Sequence, residues 1–221
     1  MPSFEAIVFF AVFAVLAAIG LSLLVVFRER GVSTAVALLE AGQFREALDA
    51  ATRTERPGRD DLLAAGRAAR HLLQLDLATR LLDRLLAEDP DDGEVWVERG
   101  LTAAYGRDIA GAHRAFDHVP VSRSDLLESL TLHRAWLELF AGDGARSRRL
   151  FEEVEASLDT KLGSDLSDGD AAFAEWFLHA GWLWRSRGDE KRAAWALETA
   201  RSAAPQSELP DFLESWWLER S

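Results

Sequence analysis

One small residue and two packing residues recur at a fixed interval along this chain. Gly66, Ala78 and Leu82 return 34 residues later as Gly100, Ala112 and Phe116, and their internal spacing appears again as Gly181, Ala193 and Leu197. Around each triplet, apolar residues fall at i, i+3, i+4 and i+7, the period of an amphipathic helix, in two stretches joined by a turn. A lone helical hairpin cannot bury its apolar faces, so a sequence built this way stacks its hairpins and caps the two ends. The small residue in each first helix lets the paired second helix cross closely. The spacing predicts an all-α chain, a solenoid of about five hairpins.

Two weaker copies extend the series. One has a turn at Gly42 followed by Phe44, Ala47 and Ala51. The other has Ala135, the turn Gly142-Asp143-Gly144, then Ser147 and Phe151. Pro90 and Pro205 close the second and fifth copies. The pattern of small residue, alanine, bulky residue and proline resembles the tetratricopeptide repeat (TPR) family, whose period is 34. Ser147 stands where that family usually has alanine. The expected organisation is a segment at 1–27, a repeat domain at 28–206 and a capping helix at 208–221. Repeats are placed at about 28–58, 59–92, 93–126, 127–160 and 174–207, with a polar, glycine-rich loop at 156–170.

Ala6 to Phe27 is 22 residues without a charge. At 1.5 Å per residue it would span roughly 33 Å as a helix, the thickness of a bilayer's hydrocarbon core. No basic residue precedes it, which disfavours a cleaved leader. It is expected to be a single transmembrane helix. Arg28 and Arg30 follow it, so the positive-inside rule expects the N-terminus outside and the repeats in the cytoplasm, at a bacterial inner membrane. Ala11, Ala14, Ala18 and Ser22 share one face of that helix and are candidate helix-contact residues.

Charge narrows the partners. The net charge is −12, which argues against nucleic acid, since affinity for phosphate requires clustered cations. The charge is also graded: from Arg28 to Arg84 the net is +1, and from Leu85 onward it is −12. A near-neutral, arginine-rich part next to an acidic remainder suits a domain standing on anionic membrane lipid.

Catalytic signatures do not emerge. The chain has no cysteine. His71, His113, His118, His133 and His179 show no metal-ligand spacing and read as surface or interface histidines. The stretch around Asp168, Gly169 and Glu175 has Ser164 and Leu166 where a calcium loop needs oxygen ligands. The expectation is a non-enzymatic protein with no catalytic residue, metal, cofactor or small-molecule substrate.

The TPR resemblance implies that the first helices line a concave groove, exposed one, four and five places after each small residue. Those positions include Arg67, Arg70 and His71, Leu101 and Tyr105, Trp136 and Phe140, and Trp182 and Arg185. Aromatic residues and arginine dominate interface energy when desolvated. The expected function is a scaffold or accessory subunit that stabilises a multisubunit membrane complex, a respiratory or photosynthetic one being the kind that gains such subunits. Its partners would be other subunits, met through both anchor and groove. Two alternatives are a regulatory adaptor resembling lipopolysaccharide-assembly regulators, although their cysteine knuckle is missing, and, with reversed orientation, a periplasmic chaperone.

Overall fold

Aspartates start many of the helices. Asp92 accepts from the N–H groups of Glu94 and Val95, and Asp108, Asp143 and Asp189 each accept from the N–H three residues on. Such caps satisfy donors that no helical carbonyl can reach, each worth about 1 kcal/mol. The computed structural model describes residues 33–163 and 171–219. Among these, five helical hairpins follow one another: α1 (Thr34–Glu40) with α2 (Phe44–Arg53), α3 (Arg59–His71) with α4 (Leu75–Glu88), α5 (Gly93–Tyr105) with α6 (Ile109–Asp117), α7 (Leu127–Ala141) with α8 (Gly144–Gly163), and α9 (Ala171–Ser186) with α10 (Glu190–Ala203). A short α11 (Leu209–Leu218) ends the series. The described residues are all helix and connection, in a repeat of helical hairpins.

All five hairpins turn in the same way. The residue five places before the small residue of each second helix is left-handed: Gly42, Leu73, Arg107, Gly142 and Gly188 have φ of 70, 53, 62, 96 and 78°. In each turn the next N–H reaches back five residues to a carbonyl, from Gln43 to Leu38, Gln74 to Ala69, Asp108 to Ala103, Asp143 to Glu138 and Asp189 to Trp184, at 2.8–3.0 Å. This is the Schellman closure of a helix C-terminus. Glycine supplies the conformation without strain at three turns; Leu73 and Arg107 adopt it despite their Cβ atoms.

The steric notch has physical form. A Cβ placed on Gly100 would stand 2.3 Å from the Phe116 ring, one on Gly181 2.8 Å from Leu197 Cγ, and one on Gly66 3.1 Å from Leu82 Cδ2. These are the pairs that the 34-residue pattern singled out. Ala78, Ala112 and Ala193, the small residues of the second helices, are buried.

The first helices form a closed inner ring. α1 packs on α3, α3 on α5, α5 on α7, α7 on α9, and α9 returns to α1. The core there is rich in alanine: Ala35 of α1, Ala64, Ala65, Ala68 and Ala69 of α3, Ala174 of α9 and Ala204 belong to one cluster. The Glu208 N–H donates to the His71 carbonyl at 2.8 Å, and the Arg45 N–H to Gln206 Oε1 at 3.3 Å. The second helices lie outside this ring, each against its own first helix.

One expectation meets a different outcome, and one falls outside the described residues. The expected loop at 156–170 begins later, because α8 continues to Gly163; Ala156, Leu158, Lys161 and Leu162 are good helix formers, and their propensity outweighs the polarity of the stretch. The apolar segment 6–27, with Ala11, Ala14, Ala18 and Ser22, lies outside the described residues, among which no helix is long and apolar enough to cross a membrane.

The notch yields a graded prediction. Gly100→Ala should lower the unfolding free energy by about 2 kcal/mol, since Phe116 is fully buried and overpacking typically costs 1–3 kcal/mol. Gly66→Ala should change it by less than about 1 kcal/mol, because a flexible leucine tip gives way and alanine adds helix propensity. Urea denaturation followed by circular dichroism measures both.

Candidate interaction surface and its buried polar centre

The register that marks the inner face also decides what meets at the centre of the ring. Tyr105 packs against Trp136 with ring centroids 5.1 Å apart, Trp136 against Phe140 at 5.5 Å, and Phe140 against Trp182 at 6.0 Å. The Arg70 guanidinium lies 5.8 Å above the Tyr105 ring, and Arg185 caps Trp182 at 5.1 Å. Six of the predicted positions, Arg70, Tyr105, Trp136, Phe140, Trp182 and Arg185, therefore form one continuous ladder from the second hairpin to the fifth.

Their expected exposure is corrected. Arg70, Leu101, Tyr105, Trp136, Phe140 and Trp182 are each 3% exposed or less. Arg67 and Arg185 keep about a third of their side chains in water. The reason is curvature: five inner helices that close on themselves leave their inward side chains no solvent to face, and α11 covers part of what remains.

At the ring's heart is a charged network. Arg70 donates to Glu98 at 2.6 Å and to Glu175, an ion pair that joins α3, α5 and α9. Arg67 donates to Glu98 at 2.7 Å and to Glu94 at 2.9 Å, and Arg59 to Asp92 at 2.7 Å and Glu94 at 2.8 Å, so charges alternate toward the rim. Burial opposes ionisation of Glu98, but Arg67 and Arg70 outweigh it and hold the carboxyl below its usual range. Glu175 is likewise pulled down, burial being overcome by Arg70 first. Glu175 is thus committed to an ion pair, while Asp168 and Gly169, its partners in the calcium-loop comparison, lie outside the described residues.

Three histidines lie buried in or beside this network, where surface or interface positions were expected. His133 and His179 share a hydrogen bond between their Nδ1 atoms at 2.9 Å, and Tyr105 Oη meets His179 Nε2 at 2.9 Å. His71 stacks on Phe44 at 4.2 Å and meets Ser207 Oγ at 3.0 Å. Burial pushes His71 and His133 down to about 4, and His179 well down too. His118 stacks on Trp96 at the outer surface, and His113 stands 3.6 Å from Glu138. Among the described residues no group of three or more side chains is arranged to hold a metal ion. A composition scan could not reveal the polar centre, since Arg70 and Glu175 are 105 residues apart.

No family model matches the chain, and neither does any curated protein. Among solved structures it is similar to MamA MSR-1, at 16% identity over 82% of this chain and 97% of that one with a TM-score of 0.47. It is also similar to MamA AMB-1, at 17% identity over 80% and 89% with a TM-score of 0.46.

Two predictions test the centre. Arg70→Met should cost about 3–5 kcal/mol, because it strands Glu175 as a buried charge, and adding Glu175→Gln should restore part of the loss; chemical denaturation of the three variants reads the coupling. Acid should also loosen the fold. A histidine held near 4 takes up its proton in the unfolded chain from pH 6.5 downward but in the folded chain only below about 4, so stability falls across that window by up to roughly 3 kcal/mol per histidine. The depressed Glu98 and Glu175 act in the same sense, losing their contribution as pH falls below the unfolded carboxylate range. The thermal midpoint should drop steadily from pH 6.5 to 4, and His133→Gln should flatten part of that slope.

Proposed function

We propose that the chain is a non-enzymatic scaffold that binds proteins and helps hold a multisubunit bacterial membrane complex together. The observation that carries this reading is the five-fold identity of the hairpin turns. A stack that repeats one turn and one notch builds a rigid surface, and the buried centre is consumed in structural ion pairs and neutral histidines rather than left open to a substrate. The uncharged segment 6–27 supports a membrane anchor, the arginines after it support repeats on the cytoplasmic side, and Ala11, Ala14, Ala18 and Ser22 supply a face on which a partner helix could pack. A respiratory or photosynthetic complex is the class of assembly proposed.

Gentle solubilisation followed by mass analysis tests the role: the scaffold should recover at least one membrane protein in stoichiometric amount. Recovery of the chain alone would overturn the reading. A reporter fused to the C-terminus should be active in its cytoplasmic form.

A further inference from the structure

The last helix lies where a ligand would. α11 carries Phe212, Leu213, Trp216 and Trp217 on one stripe, at the i, i+1, i+4, i+5 spacing of an amphipathic helix. That stripe rests on the predicted groove positions of three successive first helices. Phe212 packs against Tyr105 of α5 at 6.2 Å, Trp216 against Phe140 of α7 at 4.6 Å, and Trp217 against Trp182 of α9 at 5.2 Å. A helix laid with its aromatic face in an apolar groove is a recurrent mode of peptide recognition.

Two further observations separate this contact from an ordinary core. A pocket of about 260 Å³, partly open to solvent, lies beside α11 and is lined by Trp182, Leu197, Arg201 and Pro210, so the seat is not sealed along this edge. The rim is electrostatic: Arg107 pairs with Glu219 at 2.7 Å and stacks over Phe212 and Trp216, while Arg201 pairs with Glu214 at 2.8 Å. These pairs are about half exposed, and such pairs hold little.

We propose that α11 is an intramolecular stand-in for a partner helix, and that Tyr105, Phe140 and Trp182 form a helix-docking seat from which a partner displaces it. The proposal rests on the reading of the chain as a protein-binding scaffold and names its site. The occupant that the seat fits is an acidic amphipathic helix with aromatic residues at i, i+4 and i+5, because aromatics fill the ladder and carboxylates meet Arg107 and Arg201. Tethering gives α11 a high effective concentration, so an untethered helix competes well only when α11 is weakened or its own face is stronger.

The test uses the full-length chain and a fluorescein-labelled peptide spanning residues 207–221, followed by anisotropy. The chain carrying Trp216→Ala and Trp217→Ala should bind the peptide at least tenfold more tightly than the native chain. A peptide with alanine at positions 212, 216 and 217 should lose that binding. Because the double substitution could unfold the array, Glu214→Gln with Glu219→Gln provides a second variant, which loosens only the rim and should strengthen peptide binding in the same direction. Equal binding by native and weakened chains, or by native and alanine peptides, would overturn the seat. Native chains that pair by exchanging α11, seen as a doubled mass in light scattering, would overturn the separate partner in favour of a second copy. The probe is this chain's own sequence, so a failed titration leaves the co-purification result standing.

Discussion

A single guanidinium, that of Arg70, ties together parts of the chain that no local pattern connects. It sits 2% exposed between Glu98 and Glu175, from different hairpins, and the ring of first helices closes around it. Removing two or more charges from water is expensive, and an apolar trio of similar volume would often be as stable. What the ions add is position. Alanine against alanine can slide, as the alanine-rich cluster that includes α3, Ala174 and Ala204 would allow, whereas the Arg70 guanidinium meets both its carboxylates in one register alone.

The rest of the interior follows from that register. With α9 held against α3, the inward side chains of the second to fifth hairpins converge, and the aromatics meet one another instead of water. The histidines are drawn in with them. Their neutrality is a consequence of burial beside Arg70, and it makes the array sensitive to acid.

The hairpins were legible because the notch is steric and local. A glycine facing a bulky residue 16 positions later leaves a mark in any sequence that must let two helices cross, and Gly66, Gly100 and Gly181 all oppose the partners that the spacing named. The face assigned to Arg70, Tyr105, Trp136 and Trp182 was legible for the same reason, since register dictates which way a helical side chain points. Their burial was not. It depends on superhelical curvature, which small rotations at every hairpin accumulate and no residue encodes. His133 and His179, 46 residues apart, meet only because of that curvature. The left-handed Leu73 and Arg107 were hidden too, because the turn they share with Gly42, Gly142 and Gly188 is signalled by glycine in only three copies.

Closure also changes how such a chain must come into being. An open stack can grow outward hairpin by hairpin as it leaves the ribosome, each unit settling on the one before. Here α3 awaits Glu175 and the backbone of Glu208, both synthesised more than a hundred residues later. Until then its guanidinium and the alanine seam beside it have no lasting partner, so the early hairpins emerge as an unfinished wall. A nascent chain halted before its last hairpin would lack the late partners of Arg70 and the His71 carbonyl, and would be a natural client for holding chaperones.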